Sequence, residues 1–410
     1  MMAAIFATRC GEDVTLIESN EKLGKKLFLT GKGRCNITNA CEREELFQNI
    51  VSNPKFLFSS FSGFDNKDTI EFFENIGLRM KTERGNRVFP ISDHSSDVIK
   101  VLSHELERLK VKVRLNTSCT ELILEDYKSD DNKHYMKRIC GVILSDGEQI
   151  LCERVIMATG GQSYATTGSD GRAFGMLDKE LIEVKNCNPS LVPLECRDSL
   201  ITDMQGLALK NVELTVMAGN KVRFKGFGEM LFTHFGISGP LVLSASSYLK
   251  CDDYARGVTA TVDLKPALDE GRLDERILRD FAEAMNKNYS NVLVGLVPTK
   301  MIPSFVRISG IDGDKKVNLI TKEERRKIVS TLKAFPIRID GNRGFAEAII
   351  TRGGVSVKSI NPTTMEAKKI KGLFFAGEMI DIDALTGGFN LQIAWSTGHA
   401  AGVSGLGLGE

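Results

Sequence analysis

The 38 glycines of this chain are spread unevenly, concentrated at residues 24–36, 158–175, 226–239, 353–354 and 372–402. Glycine at that density marks places where backbone turns sharply or comes close to a ligand, because a residue without a Cβ adopts left-handed backbone freely and leaves room beside it. Between the clusters, strand-like and helix-like segments alternate, which points to the α/β class. "TIEFFENIGLRM" and "SDVIKVLSHELERLK" carry the helical apolar period, and "VKVRLNTSCTELILE" follows as a strand pair or one long bent strand. In "RICGVILSDGEQILCERVIMATGG", residues 145–148 read as a hairpin turn and residues 155–158 as a fully buried strand running into Thr159, Gly160 and Gly161. Residues 188–262 are rich in short β-like runs, and residues 265–333 turn helical and charged. The end of the chain reads as a buried strand, a glycine-bearing loop and a final helix.

The opening, "MMAAIFATRCGEDVTLIES", predicts a helix stopped at Gly11 and a short buried strand over residues 14–17 closed by Glu18. That is the second half of a βαβ unit. In a dinucleotide-binding unit a first strand enters a GxGxxG turn, a helix follows, and an acid at the end of the second strand bonds the ribose hydroxyls. Residues 1–18 supply the helix, the strand and the acid, but neither the first strand nor the glycines. Glu18 reads equally as that acid or as a surface carboxylate at a strand end.

Three further motifs carry chemistry. "LGKKLFLTGKGRCNITN" sets Gly31 and Gly33 around Lys32, followed by Arg34, Cys35 and Asn36. Backbone N–H groups in such a turn form an anion-binding concavity, and Lys32 and Arg34 suit a phosphate or an electron-rich ring; a plain glycine turn before a helix capped near Asn36 or Thr38 fits the same residues. Cys35 and Cys41, six apart, fall on different faces of a helix, which favours a buried thiol over a redox pair. "ATGG" at Ala158, Thr159, Gly160 and Gly161 lets backbone approach a flat or phosphorylated ligand. "FAGE" and "TGGFNLQ" bring Gly377, Glu378, Gly387 and Gly388 up to a helix starting near Phe389 or Asn390, whose N-terminus carries partial positive charge and free N–H donors.

Composition narrows the partners. A formal net charge of +1 gives no electrostatic reason to expect nucleic acid or an anionic membrane, so a small-molecule substrate is expected. No apolar run reaches the length of a membrane span, and nothing resembles a cleavable leader. Nine cysteines, odd in number and scattered, fit reduced thiols and a cytoplasmic location. With five separated histidines and no CxxC or HExxH, no metal site is expected. Oligomeric state is not legible.

Taken together, "GKGRCNITN", "ATGG", "NPSLVPL", "GEMLFTHFGISGP", "INPTTME" and "FAGE…TGGFNLQ", spread over residues 14–39, 155–171, 188–194, 226–240 and 353–402, resemble the aminoacetone oxidase and bile-acid dehydro-reductase family of NAD(P)/FAD-dependent oxidoreductases. The resemblance implies an α/β, two-dinucleotide-binding-domain-type FAD fold with an inserted β-barrel-like domain and a small helical subdomain. Its expected boundaries are FAD-binding parts at residues 1–187 and 361–410, insert parts at 188–264 and 336–360, and the helical part at 265–335. It implies FAD contacts at Glu18, Lys25, Gly31, Gly33, Arg34, Cys35, Asn36, Ala158, Thr159, Gly160, Gly161, Gly377, Glu378, Gly388, Asn390 and Leu391. No catalytic residue is fixed; the candidates are Arg34, Asn36 and His234, of which Arg34 and Asn36 are the better and His234 reads more readily as a structural histidine.

Because the family's first strand and GxGxxG loop are missing, the expectation is an incomplete version of a longer protein, with Met1 an internal methionine. About four buried aliphatic side chains at 1.5–3 kcal/mol each, on the order of 10 kcal/mol, would belong to that strand. No second GxGxxG occurs, so reduced nicotinamide is expected to dock transiently, or oxygen to reoxidise the flavin. Two competing readings are a flavin-free remnant serving as a binding or scaffold protein, and a flavin-dependent nucleic-acid-modifying enzyme, which the neutral charge disfavours.

Overall fold

The computed structural model describes residues 1–128 and 135–404, so the C-terminal "GLGLGE" run lies outside the described residues. The chain forms two units, one from residues 1–190 and 348–410 and a second from residues 191–347.

In the first unit the opening helix, Met2–Arg9, buries Met2, Ala4, Ile5 and Ala7, and Gly11 ends it at φ +93°. It lies against the C-terminal helix Phe389–Val403 at close range, since a Cβ at Gly402 would stand 2.7 Å from the Ala3 carbonyl oxygen. The strand Thr15–Ile17 follows and pairs in parallel with Lys112–Arg114, while Val155–Met157 pairs in parallel with Leu373–Phe375. These two ladders share no backbone hydrogen bond among the described residues. They are tied at their ends by Arg154 Nη1 on Glu12 at 3.1 Å and by Asn20 Nδ2 on the Thr167 carbonyl at 3.0 Å. An antiparallel sheet of Cys119–Asp126, Lys137–Leu144 and Gln149–Leu151 carries the expected hairpin, with Gly147 at φ +86°. Residues 31–36 lead into a strand, Thr38–Asn39, and not into the helix weighed as the alternative; it joins a small sheet with Arg87–Pro90 and Met80–Glu83.

Val184–Ser190 and Ile350–Val355 pair with each other as the chain leaves for the second unit and returns. That ladder belongs to the first unit, so the boundaries fall at 190/191 and 347/348 instead of 187/188 and 360/361.

The second unit is built on one seven-stranded sheet ordered Phe335–Ile339, Val258–Asp263, Ala208–Ala218, Lys221–Thr233, Gly236–Ser238, Leu194–Glu195 and Gly341–Asn342. Its two end strands are consecutive in sequence, separated only by Asp340. The sheet therefore curls back on itself and is closed by the chain, not by a ladder. Helices Glu270–Ala282, Ile302–Ser309 and Lys322–Lys333 put Leu273, Ile277, Phe305, Ile328 and Leu332 into the same core as Leu214, Val216, Phe232 and Phe335. The helical segment is thus a layer on the sheet, not a body with its own core. Thr321 and Glu324 form a capping box that starts the last of these helices. Among the described residues no helix is long and apolar enough to cross a membrane.

Against the opening helix, His399 is stacked on Phe64 (ring centroids 4.8 Å) and meets the Phe6 ring edge-on at 4.4 Å. Burial lowers its pKa, with Asp68 opposing. The unfolded chain therefore binds this proton more tightly, and stability present at neutral pH begins to be lost as pH falls below about 6.5 and goes on falling down to the lowered value in the folded chain. Replacing His399 with Gln is expected to flatten the change in denaturant midpoint between about pH 7.5 and 5.5. An unaltered slope would show that another group sets it.

Candidate functional site

The glycine turns of the first unit come together. Gly31, Lys32, Gly33 and Cys35 all have left-handed backbone, φ +58°, +58°, +84° and +57°, which folds residues 30–36 into a tight knot. The strand after it lies on the C-terminal helix: a Cβ at Gly388 would be 2.5 Å from the Thr38 carbonyl carbon and oxygen. Thr38 Oγ1 donates to Gln392 Oε1 at 2.5 Å, Asn39 Nδ2 donates to the Gly387 carbonyl at 3.0 Å, and Trp395 Nε1 donates to the Ile37 carbonyl at 2.9 Å. That helix starts at Gly388 without a side-chain cap, so its first N–H groups and partial positive charge remain available to an electron-rich ligand.

The "ATGG" exit meets the same assembly from the other side. A Cβ at Gly161 would be 2.3 Å from Thr351 Oγ1, and one at Gly160 would be 2.7 Å from Ser169 Oγ. These glycines are required by protein packing, whereas Ala158 and Thr159 are exposed. The amides of Gln162 and Ser163 donate to Thr351 Oγ1 at 2.7 and 3.2 Å. Lys26 ties the parts together: its ammonium pairs with Glu378 and donates to Ser163 Oγ at 2.8 Å. Glu378 Oε1 accepts from Ser163 Oγ at 2.9 Å and from the Thr351 amide at 2.7 Å. The carboxylate is thereby spent on holding loops. Lys25, the lysine expected here, turns to Glu21 at 3.2 Å, and Lys26 takes the inner position.

The other expected residues divide. Glu18 sits at the end of its strand and accepts from the Asn20 amide at 2.9 Å and Asn20 Nδ2 at 2.6 Å, and Asn20 in turn reaches the loop after "ATGG". Asn36 holds a buried Oδ1 with no hydrogen-bond partner, an acceptor awaiting a donor. Arg34 lies 4.1 Å from the Phe89 ring centroid and is committed to Glu83 and to Asp93, the latter at 2.6 Å. Arg34 and Lys81 together hold those two carboxyls below the ordinary range. Cys35 is fully buried and its thiol is pushed up to about 12, so it stays protonated and inert; burial also pushes Cys41 up to about 11. Gly377, at φ +70°, donates its N–H to Thr397 Oγ1 at 2.9 Å. Asn390 pins its own loop through Ala384, at 3.0 and 2.8 Å, and Leu391 packs into the core. His234 belongs to the second unit, exposed in the turn between Lys221–Thr233 and Gly236–Ser238, and the first-unit cluster is built without it. Among the described residues no group of three or more His, Cys, Asp or Glu side chains is arranged to hold a metal.

The sequence model described as "HI0933-like protein Rossmann domain" matches residues 1–404. The 3-dehydro-bile acid delta(4,6)-reductase of Clostridium scindens is 29% identical over 405 residues, spanning 98% of this chain and 95% of that protein. The ribosomal RNA dihydrouridine synthase of Haemophilus influenzae is 26% identical over 406 residues, spanning 98% and 95%. Among solved structures, the 3-ketosteroid-delta4-(5alpha)-dehydrogenase of Rhodococcus jostii RHA1 aligns with a TM-score of 0.45 at 15% identity, covering 98% of this chain and 93% of that one.

Proposed function

The chain belongs to the HI0933-like protein Rossmann-domain family, and on that premise we propose that it is a FAD-dependent reductase that saturates a ring C=C bond conjugated with a carbonyl. The observation that carries this reading is the convergence of the residue 31–33 turn, the "ATGG" exit and the residue 387–388 loop through Lys26, Glu378, Thr351 and Thr38. The residues fit a flavin dinucleotide. Glu18 would accept from ribose hydroxyls, Asn36 Oδ1 would take a donor from the ring system, and the uncapped helix start after Gly388 would face its electron-rich pyrimidine end. When bound, FAD supplies hydride transfer. The helix start stabilises negative charge developing beside it, and the Lys26–Glu378 pair keeps the three turns in register.

The names of the two relatives, a delta(4,6)-reductase and a dihydrouridine synthase, share the addition of hydrogen across a ring double bond, and this supports the reaction class. We take the substrate to be a small molecule that accepts the flavin's two electrons, with NAD(P)H as their donor and oxygen only a competing oxidant of the reduced flavin, and nucleic acid not to be a partner, in line with the near-neutral charge. A cytoplasmic location is part of the same reading, supported by nine cysteines that are all free thiols. The name of the H. influenzae relative favours a second reading, uracil in ribosomal RNA. Mixing the purified protein with NADPH or NADH under anaerobic conditions is expected to bleach a flavin spectrum, and adding a cyclic enone should restore it with a product two hydrogens heavier. Restoration by ribosomal RNA alone would select the second reading. A colourless protein that takes up no FAD would return the chain to a scaffold role.

A further inference from the structure

The hairpin of Met80–Glu83 and Arg87–Pro90 touches the site through its tip. One amide, Asn39 Nδ2, donates both to the Gly387 carbonyl of the glycine loop and to the Gly85 carbonyl of the tip, each at 3.0 Å. Arg87 stands opposite Asn39 in the ladder. The Phe89 ring gathers positive charge, with the Arg34 guanidinium 4.1 Å and that of Arg87 5.8 Å from its centroid, and a Cβ at Gly31, next to Lys32, would be 3.6 Å from its edge. Arg34 and Lys81 are neutralised by Glu83 and Asp93. Lys32, Arg84 and Arg87 are exposed, and among the described residues none of the three has a carboxylate at ion-pair distance. The excess charge thus lies on one rim, beside the turns that would hold the flavin.

Resting on the flavin reading above, we infer that Lys32, Arg84 and Arg87 form a phosphate-reading rim that makes NADPH, rather than NADH, the reductant of this protein. The two donors differ only in a 2′-phosphate monoester, which carries close to two negative charges at neutral pH. Two guanidiniums and an ammonium match such a dianion better than the single charge of a phosphodiester, and guanidinium forks bind phosphate oxygens in pairs.

Anaerobic flavin reduction measures the ratio of kcat/KM for NADPH to that for NADH. The wild-type ratio is expected to exceed about ten, and Arg84→Ala and Arg87→Ala are each expected to lower it about tenfold, the loss of one charge-assisted hydrogen bond, with Arg84→Lys in between. Calorimetry with 2′,5′-ADP reads the same rim without flavin chemistry and should show weaker binding in both alanine variants. Equal use of both donors by the wild type, or a ratio that neither substitution moves, would overturn the inference. So would a salt-dependent loss of RNA binding in the variants with the ratio unmoved, since the phosphate would then be that of RNA. Weakened 2′,5′-ADP binding without flavin reduction by either donor would keep the rim and remove the reductase reading.

Discussion

Gly388→Ala is expected to lower the thermal midpoint of the first unit sharply and to abolish flavin retention. At φ +101° an alanine is strained by roughly 1–3 kcal/mol before any contact is considered. Its Cβ would stand 2.5 Å from the Thr38 carbonyl, and backbone cannot swing aside as a flexible side chain does. Either the strand Thr38–Asn39 or the start of Phe389–Val403 must move, an overpacking penalty of about 1–3 kcal/mol more. Together these reach about 2–6 kcal/mol, a large share of the 5–15 kcal/mol by which domains are stable. Gly33→Ala is the control: it shares a positive φ, +84°, but its Cβ meets nothing within 4 Å, so only a conformational penalty of about 1 kcal/mol is expected. Thermal melts of the two variants test the stability effect directly, and flavin content is read on Gly388→Ala alone. Similar behaviour of both would show that the junction with Thr38 is not what holds the site.

Lys26→Met is expected to weaken FAD binding about thirtyfold, equivalent to roughly 2 kcal/mol. Removing one member of a fully buried ion pair costs about 3–5 kcal/mol. Here the lysine and glutamate side chains are 25% and 20% exposed, so water recovers part of that loss. Met keeps the aliphatic stem but leaves Glu378 with only Ser163 and the Thr351 amide. Glu378→Gln should do less, because the amide still engages Ser163, and the double variant should cost less than the two singles added together. Lys25→Met, at the neighbouring position paired to Glu21, should bind FAD as tightly as wild type. Strict additivity of the Lys26 and Glu378 effects in a titration would contradict the coupling.

The helices were legible where the apolar period is strong, as in Ser95–Arg108, and the strand Val155–Met157 because a short apolar run ends in glycines, although only its Met157 is fully buried. The glycine turns were legible because left-handed backbone selects the residue type. The identity of the inner lysine was not. Lys25–Leu29 is a five-residue helix, too short for periodicity to choose a face, so Lys25 and Lys26 look alike until Glu378, more than 350 residues later, selects one. Arg34 read as a ligand contact because the partners that neutralise it, Glu83 and Asp93, lie 49 and 59 residues away. The unit boundary was misplaced for a similar reason, since the ladder of Val184–Ser190 with Ile350–Val355 spans the whole second unit and leaves no local trace. Curling of the insert sheet through Asp340 is likewise a property of pairing order and not of any one strand.

The most direct measurement is a fluorescence titration of FAD into the purified protein, with Gly388→Ala beside it. Saturable quenching at one FAD per wild-type chain, lost in the variant, is the result these turns predict. Quenching that never saturates, or that is identical in both proteins, would mean that the converged glycine turns serve packing alone.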